Sequence, residues 1–310
     1  MAGLLVGVDV GGTKTHLRAV TRASAGAAPE VIHDVIVPSD GWSATPVDMA
    51  ARWLVERLVD VLGAAVPEIA AVAVGAQGCE DREHCARLGG ALRARLGVPV
   101  TVVNDAELLL PAAGFGRGTG IVVGTGSIGV SSDGEGNTLR AGGWGWVLSD
   151  DGSASALVRE AARAVLVRVD RGHGPGVLGR HLLASVRAPD IEALVLRLSW
   201  GDGPEHWGRH APCVVAAAEA GSEEARTVLD DGARGICDLV TTLADRGAPV
   251  HDLVFAGGLV TQVPSYWQAI RHGLTVRLPD SRPVLLTEPP VVGALALAGA
   301  AAGSARPDQR

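Results

Sequence analysis

Val6-Gly7-Val8-Asp9-Val10-Gly11-Gly12-Thr13-Lys14-Thr15 opens this chain with an apolar run that stops at a carboxylate, two glycines and the only lysine among 310 residues. Alternating valines predict a strand over Leu4 to Asp9, and Gly11-Gly12 predicts a tight turn into a second strand, His16 to Thr21. Glycines let backbone N–H groups approach an anion with no Cβ in the way, and the Thr13 and Thr15 hydroxyls and the Lys14 cation add donors and charge.

Working outward, Val31 to Val37 reads as a third strand. Thr45-Pro46 then caps a helix whose Ala50, Trp53, Leu54, Leu58, Val61 and Leu62 keep the helical period up to Gly63. A buried strand over Ala70 to Gly75, a helix from Glu80 to Leu96 and a strand over Val100 to Val103 follow, ending at Asn104-Asp105. The order then restarts with strands at Gly120 to Val123, Ser127 to Ser131 and Thr138 to Gly142 and a helix from Ser153 to Val169. After inserted helical segments come a strand at Asp252 to Phe255, the pair Gly257-Gly258, a helix over Pro264 to His272, a strand at Val284 to Thr287 and a last helix from Val291. Arg171 to Gly179 reads as a loop and Ser304 to Arg310 as a tail. This repeat predicts an α/β protein of two similarly folded lobes with a cleft between them.

Each copy places a Gly-rich turn after its first strand, the second being Gly124-Thr125-Gly126-Ser127. A plain hairpin explains either turn alone, but a pair heading both lobes points to a clasp for a polyphosphate. Gly124 to Gly129 also spells G-x-G-x-x-G, yet a strand follows where a dinucleotide site needs a helix. Gly12-Thr13-Lys14 lacks the earlier glycine of a P-loop. Gly257-Gly258 ends a buried strand where a flat ring could lie on bare backbone.

Asp9 and Asp105 sit at carboxyl ends of strands, where ligands lie in open α/β sheets. A carboxylate beside phosphate either holds Mg²⁺, which suits Asp9, or takes a proton from an attacking hydroxyl, which suits Asp105. Capping of a strand end is the alternative for each. In Gly142-Gly143-Trp144-Gly145-Trp146-Val147-Leu148-Ser149-Asp150-Asp151-Gly152-Ser153, carboxylates and indoles stand together as sugar-binding surfaces have them, or else Asp150 or Asp151 caps the next helix.

Formal net charge is −7, with basic residues dispersed, which excludes a nucleic-acid footprint. No apolar run reaches the length of about 18 residues that a membrane span needs. Cys79, Cys85, Cys213 and Cys237 form no C-x-x-C pair or zinc spacing and are expected to be isolated thiols in a reducing, cytoplasmic setting.

VGVDVGGTKT, Val102-Val103-Asn104-Asp105-Ala106, Val123-Gly124-Thr125-Gly126-Ser127, GGWGWVLSDDGS and VFAGGLV, in this order, resemble the N-acetylglucosamine and glucosamine kinase family of the actin, hexokinase and heat-shock chaperone ATPase superfamily. The resemblance implies two RNase-H-like, actin-like ATPase lobes: an N-terminal lobe over 1–110, completed by the helix 291–303, and a C-terminal lobe over 111–290 with a helical insertion. It further implies ATP and Mg²⁺ as cofactors, a small-molecule hexosamine as substrate, a homodimer, and phosphoryl transfer to the sugar 6-hydroxyl. By the same resemblance Asp105 is the base and Asp9 holds the metal through water. Gly11, Gly12, Thr13, Lys14, Thr15, Gly124, Thr125, Gly126 and Ser127 hold the phosphates, and Gly257 and Gly258 the adenosine. Ser39, Asp40, Gln77, Asn104, Asp105, Gly143, Trp144, Asp150 and Asp151 meet the sugar.

The chain departs from the acetyl-sugar kinases at Ser39-Asp40-Gly41-Trp42, where an anion stands in place of an amide. A carboxylate there suits a free ammonium, so the expectation is D-glucosamine, giving glucosamine 6-phosphate. N-acetylglucosamine is the alternative, and an activator ATPase of a 2-hydroxyacyl dehydratase is a rival of another class.

Overall fold

The computed structural model describes residues 3–22, 28–132, 138–200 and 203–304. The chain divides into two compact units, one built mainly from the residues up to Gly120 and from Leu286 onward, the other from Ile121 to Leu285. The first unit runs β1 (Leu4–Val10), β2 (Lys14–Thr21), β3 (Val31–Pro38), α1 (Val47–Leu62), β4 (Ile69–Ala76), α2 (Arg82–Leu96), β5 (Val100–Val103), a 3₁₀ turn (Asp105–Leu108) and α3 (Leu109–Ala112). The second runs β6 (Thr119–Val123), β7 (Ser127–Ser132), β8 (Thr138–Gly142), α4 (Ala154–Asp170), α5 (Gly176–Val186), α6 (Ile191–Ser199), α7 (Gly203–Gly208), α8 (Ala211–Glu219), α9 (Glu223–Asp245), β9 (Asp252–Ala256), α10 (Gly258–Gln262), α11 (Pro264–Arg277) and β10 (Arg282–Leu285). The last helix, α12 (Val291–Ser304), belongs to the first unit.

The internal repeat is topological. The first sheet has the order β3-β2-β1-β4-β5 and the second β8-β7-β6-β9-β10. In the first, β1 pairs antiparallel with β2 and parallel with β4, so its carboxyl end at Asp9 lies beside Gly75 of β4. Central strands are buried on both faces: Val6, Val8 and Val10 pack with Leu17, Val72, Val74 and the inner faces of α1 and α2, while Ala71 and Ala73 face α12. Two five-stranded sheets in this order are the actin-like ATPase fold.

Small residues let α12 lie directly on the first sheet. A Cβ at Gly7 would fall 2.8 Å from the Val291 carbonyl oxygen, and one at Gly293 would strike the backbone of Leu108 and Ala112. Gly299 has only Leu5 Cδ1 near, at 3.7 Å. Gly293→Ala is therefore expected to cost about 2–3 kcal/mol, since backbone cannot yield as a side chain does. Gly299→Ala is expected to be neutral or to stabilise by about 0.5–1 kcal/mol through helix propensity. Urea midpoints of the two variants, at unchanged slope, check both.

Several boundaries move. Asp81 caps α2, its carboxylate accepting the His84 N–H at 2.7 Å, so the helix starts at Arg82 and not at Glu80. The loop expected through Gly179 ends at Pro175, because Leu178, Leu182 and Val186 recur at one face and bury α5. β10 comes two residues earlier than expected, where Pro283 registers with Leu253, and α11 continues to Arg277. The expected tail after Ser304, and Asp133 and Gly134 after β7, lie outside the described residues.

Candidate functional site

In the first unit the β1–β2 turn is closed by the Gly11 N–H donating to the Lys14 carbonyl at 3.1 Å. Gly12, Thr13 and Lys14 are exposed at its tip. The Gln77 side chain lies over the turn, since a Cβ on Gly12 would meet Gln77 Oε1 at 2.7 Å. Thr15 is fully buried and its hydroxyl lies 2.8 Å from the Ser39 hydroxyl, which is also buried. Thr15 thus ties the turn to the segment after β3, to which the Ser39 N–H adds a bond to the Thr13 carbonyl at 3.1 Å. Asp40 is exposed; its backbone carbonyl, and not its carboxylate, accepts from Trp53 Nε1 at 3.0 Å.

Asn104 and Asp105 follow β5. Asn104 is buried with its amide committed: Oδ1 accepts the Ala106 N–H at 3.1 Å and Nδ2 donates to the Cys79 carbonyl at 3.2 Å. Glu107 reaches back to accept the Asn104 N–H at 3.2 Å, completing a capping box. The turn that presents Asp105 is therefore held by its neighbours, and its own carboxylate is left half-buried. Burial raises the Asp105 carboxyl from its ordinary 3.8 to about 6, with Glu80 adding to the rise and the N–H groups of Ala106 and of Asp105 itself opposing it. Asp9 is pushed up to about 7, first by burial and then by the charge of Asp105, with Lys14 acting against both.

Two half-buried carboxylates that repel one another are a place where a hard cation relieves a cost. Among the described residues no three His, Cys, Asp or Glu side chains gather as a metal cage.

In the second unit the β6–β7 turn is closed by the Gly124 N–H donating to the Gly126 carbonyl at 2.9 Å. Its outer carbonyls are taken up by the start of α4: Ala154 N–H on Gly124 at 2.9 Å, and the Ser155 hydroxyl on Thr125 at 2.8 Å. Ser127 is buried and its hydroxyl donates to the Asp151 carbonyl at 2.9 Å, so this side chain fastens the turn. Gly257-Gly258 lies against the same turn. A Cβ on Gly257, which has φ +114°, would strike the Val123 carbonyl, and one on Gly124 would come 3.6 Å from the Gly258 nitrogen. A pocket of about 380 Å³ opens here, between Gly124, Thr125 and Gly258 on one side and Gly208, Arg209, Ala211 and Pro212 on the other. The contribution of α7 and α8 was not legible in the sequence, where the insertion carries no motif.

The GGWGWVLSDDGS block divides its work unexpectedly. Asp150, with φ +58°, is only 7% exposed and accepts the backbone N–H groups of Ser127 and Gly145; burial is the main cause of its raised carboxyl pKa. Asp151 is exposed and pairs with Arg159 at 3.3 Å. Neither carboxylate caps α4, which Ser153 does by accepting the Ala156 N–H at 3.2 Å. Gly143 packs over Ile128, and Trp144, 68% exposed, lies under the Arg140 guanidinium at 4.3 Å. Trp146 instead turns to Trp207, with ring centroids 5.2 Å apart.

No described helix is long and apolar enough to cross a membrane. The chain is 26% identical over 306 residues to an N-acetylmuramic acid/N-acetylglucosamine kinase of Clostridium acetobutylicum, covering 95% of this chain and 97% of the relative. It is 24% identical to an N-acetyl-D-glucosamine kinase of Dictyostelium discoideum over the same shares, 95% and 97%. Among solved structures, a Chromobacterium violaceum protein provisionally named an N-acetylglucosamine kinase superposes with a TM-score of 0.68 at 23% identity, over 95% of this chain and 98% of that one. The sequence profile of the BadF/BadG/BcrA/BcrD ATPase family matches residues 6–298, nearly the whole chain, and the chain belongs to that family.

Proposed function

We propose that this protein is an ATP-dependent kinase of 2-amino-2-deoxy sugars that phosphorylates the 6-hydroxyl, with N-acetylglucosamine as the preferred acceptor. The observation that carries this is Asp105: a half-buried carboxylate at a strand end, held by the N–H groups of Ala106 and of Asp105 itself, raised by burial to about 6 and close enough to Asp9 to raise it too. A base with that value is deprotonated at neutral pH and still basic enough to accept an alcohol proton as the oxygen attacks phosphorus. Asp9 would hold Mg²⁺, which when bound draws charge from the phosphate oxygens. Gly12 and Thr13, and Thr125 and Gly126, would offer backbone donors to the phosphates, the N–H groups of Gly11 and Gly124 closing those two turns and Thr15 and Ser127 fastening them from behind. The pocket beside Gly258 would take the nucleoside.

The names of the full-length relatives support the acetylated sugar. Glucosamine is the second reading, favoured by the exposed Asp40 carboxylate, which would attract an ammonium at C2. The buried positions of Cys79, Cys85 and Cys237 support a kinase over an iron–sulfur activator, whose cluster needs thiolates at a surface.

The test is ADP release on a panel of N-acetylglucosamine, glucosamine, N-acetylmuramic acid, N-acetylmannosamine and glucose across pH 6 to 9. Highest kcat/KM on N-acetylglucosamine is expected. Glucosamine leading, with its advantage lost in Asp40→Asn, would establish the second reading. No sugar-dependent turnover at all would refute a kinase.

A further inference from the structure

The helical insertion of the second unit holds another cavity, of about 660 Å³, lined by Arg187, Arg197, His206 and Arg209 with Trp200 and Leu196. No Asp or Glu lines it, although the chain as a whole carries a formal charge of −7. Asp190, close by in sequence, is taken up in capping α6, where its carboxylate accepts the Ala193 N–H at 2.8 Å. The cations are held from behind by backbone and by one imidazole. Arg197 Nη1 donates to the Val186 and Arg187 carbonyls that end α5, and His206 Nε2 donates to the Arg197 carbonyl at 2.8 Å. His206 Nδ1 accepts from Arg209 Nη2 at 3.0 Å, and Arg209 Nε donates to the His206 carbonyl at 3.2 Å. Arg197 Nη2, Arg209 Nη1 and the whole Arg187 guanidinium are left without a partner among the described residues. Arg187 has φ +58°, a helix-ending conformation usual for Gly or Asn, so a long cation stands where a smaller residue would sit with less strain. Beside these donors Trp200, 82% exposed, and the exposed Leu196 form an apolar wall.

We propose that this cavity binds a sugar phosphate and that its occupancy weakens the binding of ATP. A phosphate monoester carries a charge of about −1.5 to −2 at neutral pH and three acceptor oxygens, which planar guanidinium groups match in pairs. Three arginines with no carboxylate among them suit such a dianion better than a singly charged carboxylate. The C–H face of the sugar ring would lie on Trp200 and Leu196, a contact that inorganic phosphate cannot make. Arg209 supplies the link to the nucleotide, because it also lines the pocket of about 380 Å³ beside Gly258. Its positive charge favours an anionic nucleotide in that pocket, and a phosphate monoester on its other side takes up the same charge. Each ligand should therefore weaken the other by the same factor. The effect on ATP rests on the kinase reading above; the binding of the sugar phosphate does not.

The experiment titrates the full chain calorimetrically with N-acetylglucosamine 6-phosphate, without nucleotide and with saturating N-acetylglucosamine to fill the acceptor site. Expected is one bound equivalent, at least tenfold tighter than inorganic phosphate, with affinity falling at least tenfold in Arg187→Gln and at least threefold in Trp200→Ala. Both side chains are exposed, so the variants should keep the parent's thermal midpoint. In turnover assays the sugar phosphate should raise the KM for ATP at least threefold with kcat unchanged. Arg187→Gln should match the parent's basal kinetics and lose that rise. Absence of binding, inorganic phosphate binding as tightly, affinity undiminished in Arg187→Gln, or a KM for ATP that does not respond overturns the proposal. If the chain phosphorylates no sugar, the titration still decides whether the site exists, so failure of the kinase reading and failure of this site are separate results.

Discussion

Asp105→Asn is expected to lower kcat by about 10²–10⁴ while the dissociation constant for the sugar changes little, a rise in the barrier of roughly 3–5 kcal/mol. The substitution keeps shape and hydrogen bonding but removes the proton acceptor. It should fold normally, because the Asn104 and Glu107 side chains hold the turn and the asparagine Oδ1 can still accept the Ala106 N–H that the Asp105 carboxylate takes. The pH profile carries the sharper test. A base must be unprotonated to act, so in the parent kcat/KM should climb as pH rises through about 6 and then level, following the raised value of Asp105. The variant's residual activity should lack that limb. Calorimetric titration of the sugar against both proteins, with turnover from pH 5 to 9, reads the two parts; an unchanged kcat in Asp105→Asn excludes it as the base.

Asp9→Asn should have opposite effects on catalysis and stability. Loss of an anionic ligand should lower turnover at saturating ATP by about 10²-fold or more and raise the Mg²⁺ concentration for half-maximal rate, as expected where a carboxylate helps hold the ion. Without metal or nucleotide, the same change should stabilise the fold above neutral pH. A carboxyl group raised from 3.8 to about 7 binds more protons folded than unfolded between those values. Parent stability therefore falls as pH rises through that window and stays lowered above it, by on the order of 2–4 kcal/mol. Asparagine carries no charge to bury. Thermal midpoints at pH 5 and pH 8 should then converge at low pH and separate at high pH, with the variant higher; a variant less stable at pH 8 would mean that Asp9 is held charged by partners and is not strained by burial.

Much of this is legible in the sequence alone. The turn at Gly11-Gly12, the second turn at Gly124 to Ser127 and the strand ends at Asp9 and Asp105 are short-range signals, written in alternation and in glycine, and the elements carrying them stand where the periodicity puts them. Element order alone exposed the repeat, which both strand orders reproduce.

What the sequence could not express is which polar group spends itself on which. Thr15, Ser127 and Asp150 read as ligand contacts because their types and positions suit phosphate or sugar, yet each is buried with its polar atoms engaged inside its own unit. Cys79 and Cys85, six positions apart with no motif between them, meet only because a strand end and a helix start converge. By itself the sequence determined the strands, the turns and the placement of the two key carboxylates, since these follow from local backbone preference and hydrophobic period. Only the tertiary structure decided burial, and with it the raised carboxyls of Asp9 and Asp105, because desolvation depends on what packs around a charge and on how completely water is excluded, which no local pattern records.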